Sequence, residues 1–141
     1  MELLGVIRCV DHVKVEPPVP ALDLEVREAL FGRSKKFTAP LDTGFAGYLM
    51  LPEEDYSALS TAEVPREEFG LYSTMAGPVP VRRARVHVGI GGREVETFVE
   101  SPLYGGGKLL VGRRVLSIID VALMGPGART CLVEQRGKEE R

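Results

Sequence analysis

The sequence predicts a mainly β protein, a small closed or nearly closed β-barrel with one or two short helices. Short segments alternate apolar and polar residues at the period of a strand, as Leu22, Leu24 and Val26 do against Asp23, Glu25 and Arg27. Glycine and proline punctuate these segments at Phe31-Gly32-Arg33, Gly89-Ile90-Gly91-Gly92 and Gly125-Pro126-Gly127. Helical signals are confined to two short stretches, one after Pro52 and one after Gly112. Many short strands with so little helix imply a sheet that closes, or nearly closes, on itself.

Taken in order, Leu3 to Val10 reads as a first strand, and Pro17-Pro18-Val19-Pro20 makes an extended connector. Ala21 to Leu30 and Ser34 to Leu41 form a hairpin that ends at Asp42. Tyr48 to Leu51 is strand-like, and Glu53-Glu54-Asp55 opens a short helix to about Leu59, where three acids complement the helix dipole. Val64 to Gly70 is a polar surface connection. Leu71 to Thr74 and Val79 to Val88 are two strand arms around the turn-forming tip Met75-Ala76-Gly77-Pro78. In the second arm Ala84, Val86 and Val88 share the inner face, while Arg83, Arg85 and His87 fall on a solvated one. Glu94 to Val99 returns from the glycine turn, and Ser101 to Gly107 is a flexible link. Lys108 to Val111 should be a core strand, Gly112 to Ser117 a short helix, Ile118 to Met124 a strand and Ala128 to Val133 the last strand.

A chain of 141 residues suits one domain, here residues 1–133, followed by a charged and frayed tail over 134–141. A net charge of −2 with both signs interspersed gives no general pull toward nucleic acid or an anionic membrane. No apolar run is long enough to span a bilayer, and Met1-Glu2-Leu3-Leu4 lacks the basic start of a signal peptide, so a cytoplasmic location is expected. Cys9 and Cys131 do not make a zinc pattern. Neighbouring terminal strands could bring them together, but buried thiols are the expectation. The chain has no Asn and a single Gln, Gln135, a depletion of labile amides that resembles hyperthermophile usage and that a GC-rich genome would also produce. Lys108 follows three glycines, yet Leu109 replaces the hydroxyl residue of a phosphate-cradling loop, which excludes ATP binding. His12 and His87 have no triad partner in a recognisable context, and no His and Cys cluster supplies metal ligands. Neither cofactor nor metal is expected.

The stretch Pro40-Leu41-Asp42-Thr43-Gly44 carries the chemistry, because it delivers an acid from the end of a strand into an apolar setting and then turns on glycine. Partial desolvation disfavours a carboxylate's charged form and suits acid–base work near neutral pH. Leu41-Asp42-Thr43-Gly44 resembles the active-site loop of the retropepsin-like aspartic proteases, apolar-Asp-Thr/Ser-Gly. Leu109-Leu110-Val111-Gly112-Arg113 resembles the second signature of that family, an apolar pair and glycine opening a short helix. The resemblance spans roughly Ala21 to Val133 and implies a single-lobe member.

That resemblance implies a homodimeric endopeptidase acting on peptide or protein substrates, with Asp42 from each subunit sharing one water. It gives Asp42 the catalytic role and makes Thr43 and Gly44 supports of the loop. Val111, Gly112 and Arg113 become the structural second motif. Met75, Ala76 and Gly77 become the tip of a flap over the substrate cleft, with Phe45 in the cleft itself. Three departures bear on substrate preference: Phe45 stands where a small alanine is usual, Ala46 stands where an acid often pairs the arginine of the second motif, and Pro78 stiffens the flap tip. An alternative keeps the fold as a catalytically inactive dimeric peptide-binding or scaffold module. A third, a nucleic-acid binder using Arg82, Arg83 and Arg85, lacks the interleaved aromatics that stack on bases.

Overall fold

Pairing of the long strands, rather than helix packing, builds the molecule. The computed structural model describes residues 3–15 and 18–136. In chain order come β1 (Leu3–Asp11), β2 (Ala21–Glu28), β3 (Ser34–Pro40), β4 (Leu49–Met50), α1 (Glu53–Leu59), a 3-10 turn (Arg66–Glu68) and β5 (Gly70–Thr74). After these come β6 (Gly77–Ile90), β7 (Arg93–Pro102), β8 (Leu110–Val111), α2 (Arg113–Leu116), β9 (Asp120–Met124) and β10 (Arg129–Arg136). A seven-stranded sheet runs in the order β3-β2-β6-β7-β4-β8 with β5 on the flank of β6, and a three-stranded sheet runs β1-β10-β9. The protein is mainly β and its sheets approach closure without completing it.

Alternation explains the core. Leu22, Leu24 and Val26 of β2 and Ala84, Val86, Val88 and Ile90 of β6 point inward, where they meet Phe37, Leu49, Leu51, Tyr56, Val99 and Val111. Leu132 carries the three-stranded sheet onto the same core. Between β6 and β7 the chain reverses through Gly91 and Gly92 alone, at φ of 57° and 85°, the two-residue turn that matches strand twist. The helix expected after Pro52 is α1, and two of its acids hold neighbouring strands: Glu53 pairs with Arg82 and Asp55 with Lys35.

Several boundaries differ from expectation. β7 runs on to Pro102, three residues beyond the expected strand end at Val99, because the β6 pairing continues that far. Of Lys108 to Val111 only Leu110 and Val111 pair as a strand, against β4. β10 extends through Arg136, paired to Leu3 of β1, so the first residues of the supposed frayed tail belong to a sheet. Residues 137–141 of that tail lie outside the described residues.

The expectation of two buried thiols is overturned. β1 and β10 pair antiparallel with Cys9 directly opposite Cys131, and the two form a disulfide with Cα atoms 4.0 Å apart. The cross-link closes 122 residues of sequence separation, the kind of long loop for which denatured-state entropy is most restricted. Replacing both cysteines by serine is therefore expected to lower the unfolding free energy by about 2–5 kcal/mol. Guanidinium unfolding of the variant beside the oxidised protein measures it. Coincident midpoints would show that pairing of β1 with β10 already holds the termini without the bond.

Candidate active site

Asp42 stands where β3 runs out. Leu41 bridges Val111 in parallel, and the Asp42 N–H donates to the Val111 carbonyl at 2.9 Å, which fixes the backbone at the moment it leaves the sheet. The chain then turns: the Gly44 N–H donates to Asp42 Oδ1 at 2.9 Å and the Phe45 N–H to the Asp42 carbonyl at 3.1 Å. Asp42 is half-buried, and Thr43 and Gly44 are exposed. Its second carboxylate oxygen accepts no hydrogen bond from the described residues.

The second motif clasps this loop through its backbone. Gly112 N–H donates to the Tyr48 carbonyl at 2.7 Å, Arg113 N–H to that of Phe45 at 2.9 Å and Arg114 N–H to that of Gly47 at 3.0 Å. The amides that would be orphaned at the start of α2 thus satisfy carbonyls of the loop. Such approach demands two glycines. A Cβ on Gly112 would lie 2.3 Å from the Gly47 carbonyl oxygen, and one on Gly47 would lie 2.5 Å from both Glu100 Oε1 and the Phe45 ring. Gly47 is a residue that sequence reasoning missed.

So is Glu100. It is wholly buried on β7, directly opposite Arg83 of β6. Its Oε1 accepts the Tyr48 N–H at 2.9 Å. Its Oε2 accepts the Tyr72 hydroxyl at 2.6 Å and Arg83 Nε and Nη2 at 2.9 and 2.8 Å. One carboxylate therefore joins the loop that carries Asp42, the first arm of the hairpin and the second arm. Aromatic rings enclose it: the Arg83 guanidinium lies 5.3 Å from the Tyr48 ring and 5.7 Å from Phe98, and Phe45 meets Tyr72 edge-on at 5.1 Å. Burial, then the hydrogen bond and charge of Glu100, push the Tyr72 hydroxyl above its usual range. For Arg83 burial acts downward, but the bonds and charge of Glu100 outweigh it and raise the pKa.

This corrects the reading of Arg83 as part of a solvated face. Arg82 is bound by Glu53 and Arg85 lies 5.6 Å from the Phe98 ring that Arg83 also approaches, so all three arginines are engaged with neighbouring side chains.

Between the loop and the hairpin lies a cleft of about 1010 Å³. Asp42, Gly44, Phe45, Met75 and Arg113 all reach its wall, as do Ala46 and Tyr72. Thr43, Ala76 and Gly77 do not line it, and Val111 and Gly112 are buried beneath the loop. β5 and β6 form the hairpin expected over the cleft. At its tip the Thr74 hydroxyl donates to the Gly77 carbonyl at 2.7 Å and accepts the Ala76 N–H at 3.1 Å, with Met75 fully exposed. A second cavity of about 810 Å³ lies apart from Asp42, along β2, β3 and the Gly91-Gly92 turn, where Arg8 already pairs with Asp23 at 2.9 Å.

Among solved structures, a retropepsin-like aspartic protease from Rickettsia conorii aligns over 97% of this chain and 97% of its own, with a TM-score of 0.55 and 16% identity. EIAV protease complexed with the inhibitor HBY-793 aligns over 71% of this chain and 86% of its own, with a TM-score of 0.53 and 17% identity. The chain has the retropepsin-like fold. No family model matches the sequence, and no curated protein matches it. Within the retropepsin-like fold of this chain, the loop bearing Asp42, the second motif and the hairpin face one cleft.

Proposed function

We propose that the chain is an aspartic endopeptidase that works as a homodimer, with Asp42 of each subunit facing its mate across a two-fold axis. The observation that carries this reading is the half-buried Asp42 on the wall of a peptide-sized cleft, its loop fixed by the second motif and covered by a hairpin. Two full charges at about 3 Å in an effective dielectric of about 20 would repel by roughly 5 kcal/mol, so the pair keeps one proton. The ionised Asp42 takes a proton from water as the water attacks the peptide carbonyl. The protonated one hydrogen-bonds the carbonyl oxygen and stabilises the tetrahedral intermediate. Thr43, exposed on the loop, bonds across to the partner loop, while Met75, Ala76 and Gly77 close over the bound peptide.

The amide-poor composition and the Cys9–Cys131 disulfide together suit an intracellular protein of a hyperthermophile, the setting in which cytoplasmic disulfides persist. One observation favours the second reading, an inactive peptide-binding module: the Phe45 ring, packed edge-on against Tyr72, occupies cleft space beside Asp42.

Two measurements decide between them. Sedimentation at micromolar concentration is expected to give twice the chain mass, and a denatured protein substrate is expected to be cut at acid pH in a manner blocked by a statine-type inhibitor. A strict monomer would leave the mechanism without its second acid. A dimer that binds peptides and never cuts them would establish the inactive module.

A further inference from the structure

The charges on the cleft wall are lopsided. Among the described residues Asp42 is its one acid, whereas Lys108 and Arg113 both reach it, in a chain whose net charge is negative. Neither cation has a carboxylate partner among the described residues. The Arg113 backbone is fixed, because its N–H is bonded to the Phe45 carbonyl and Gly112 behind it is buried, while its side chain is exposed at the cleft. Ala46, beside it on the wall, offers no counter-charge. The remaining wall is largely apolar, with Phe45, Met50, Leu71, Val79 and Leu110 along it.

An unpaired guanidinium beside an apolar trough is complementary to a carboxylate carried next to apolar side chains, since its planar fork matches a carboxylate bidentately. We infer that this cleft selects extended peptides in which apolar residues are followed or preceded by a carboxylate, held by Arg113 with Lys108 as a second cation. The inference rests on the cleft being a peptide site, as in the proposed function, and extends it to the class of substrate. The carboxylate has two sources, an Asp or Glu side chain or the free C-terminus of a peptide. A charge-assisted hydrogen bond in so open a site is expected to give about tenfold discrimination, at the lower end of the usual range. Salt should erode it.

The test uses the full-length Asp42→Asn protein, so that peptides persist, with fluorescence anisotropy of labelled apolar heptapeptides. One set has blocked termini and Glu, Gln or Lys at a single position. Another carries Gln and a free C-terminal carboxylate. The Glu peptide, the free-carboxylate peptide or both are expected to bind about tenfold more tightly than the blocked Gln peptide, and which one does so names the source. Arg113→Gln with Lys108→Gln should abolish the preference, and Arg113→Glu with Lys108→Glu should turn it toward the Lys peptide. Equal affinity for the Glu, free-carboxylate and Gln peptides overturns the inference. So does a preference that survives both pairs of substitutions, or no binding of any peptide. Carboxylate selectivity in a wild-type protein that never hydrolyses its peptides would instead uphold the inference and refute the protease mechanism.

Discussion

Replacing Asp42 by asparagine is expected to abolish the proposed peptide hydrolysis, by about 10⁴- to 10⁶-fold, while leaving the fold and the proposed dimer intact. In the proposed mechanism the amide can neither take the proton from water nor hold the proton that the pair would share, so both of its halves disappear at once. Little else should change. The one hydrogen bond that the side chain makes among the described residues, accepting the Gly44 N–H, is available to an asparagine oxygen, and asparagine is at home in this kind of turn. The backbone bonds that fix the loop, from Asp42 N–H to Val111 and from Arg113 N–H to Phe45, do not involve the side chain at all. Unfolding midpoints within experimental error, beside a rate at background, are the expected pair of results. Hydrolysis near the wild-type rate would remove Asp42 from the chemistry. A collapsed midpoint would mean that the acid serves the fold.

What the sequence made legible follows from how local each signal is. The alternation of Leu22, Leu24 and Val26, and the return from Ser34, describe β2 and β3 closely because those strands pair with each other. The same locality made α1 and the β5–β6 hairpin readable. Distance in sequence hid the rest. Nothing in the residues around Cys9 points to Cys131, and only the register of β1 on β10 sets them side by side. The parallel contact of Leu49 and Met50 with Val99 and Glu100 was equally hidden, since β4 is two residues long. Glu100 was different, because a usable signal was present. Counting back from a two-residue Gly91-Gly92 turn puts Arg83 directly opposite Glu100, and an opposed arginine and glutamate on one hairpin deserve to be read as a pair. Taking the turn as four residues and ending the strand at Val99 lost that register.

Glu100→Leu is expected to destabilise the protein by about 3–5 kcal/mol, because it removes one member of a buried ionic network and leaves the others in place. Arg83, with its side chain only 20% exposed, loses its carboxylate, and the Tyr72 hydroxyl and Tyr48 N–H lose their acceptor. Pairing the change with Arg83→Met should recover much of the loss, since an apolar pair of similar volume avoids the orphaned charge; the double-mutant cycle in urea reads this coupling. The pH dependence has a definite sign. Tyr72 keeps its proton to higher pH in the folded chain than its ordinary value of 10.0. Its contribution is therefore complete below about pH 10 and lost as pH rises through the folded value. Tyr56, raised by burial and then by its bond to Glu63, adds to the same alkaline limb, so Tyr72→Phe should shorten that limb without erasing it. Hydrogen exchange locates the effect: in Glu100→Leu the Tyr48 amide and the β5 arm should lose protection before the β2–β3 hairpin does. A midpoint shift below about 1 kcal/mol, with the Tyr48 amide still protected, would mean that packing around Gly47 and Phe45 holds the Asp42 loop without the carboxylate.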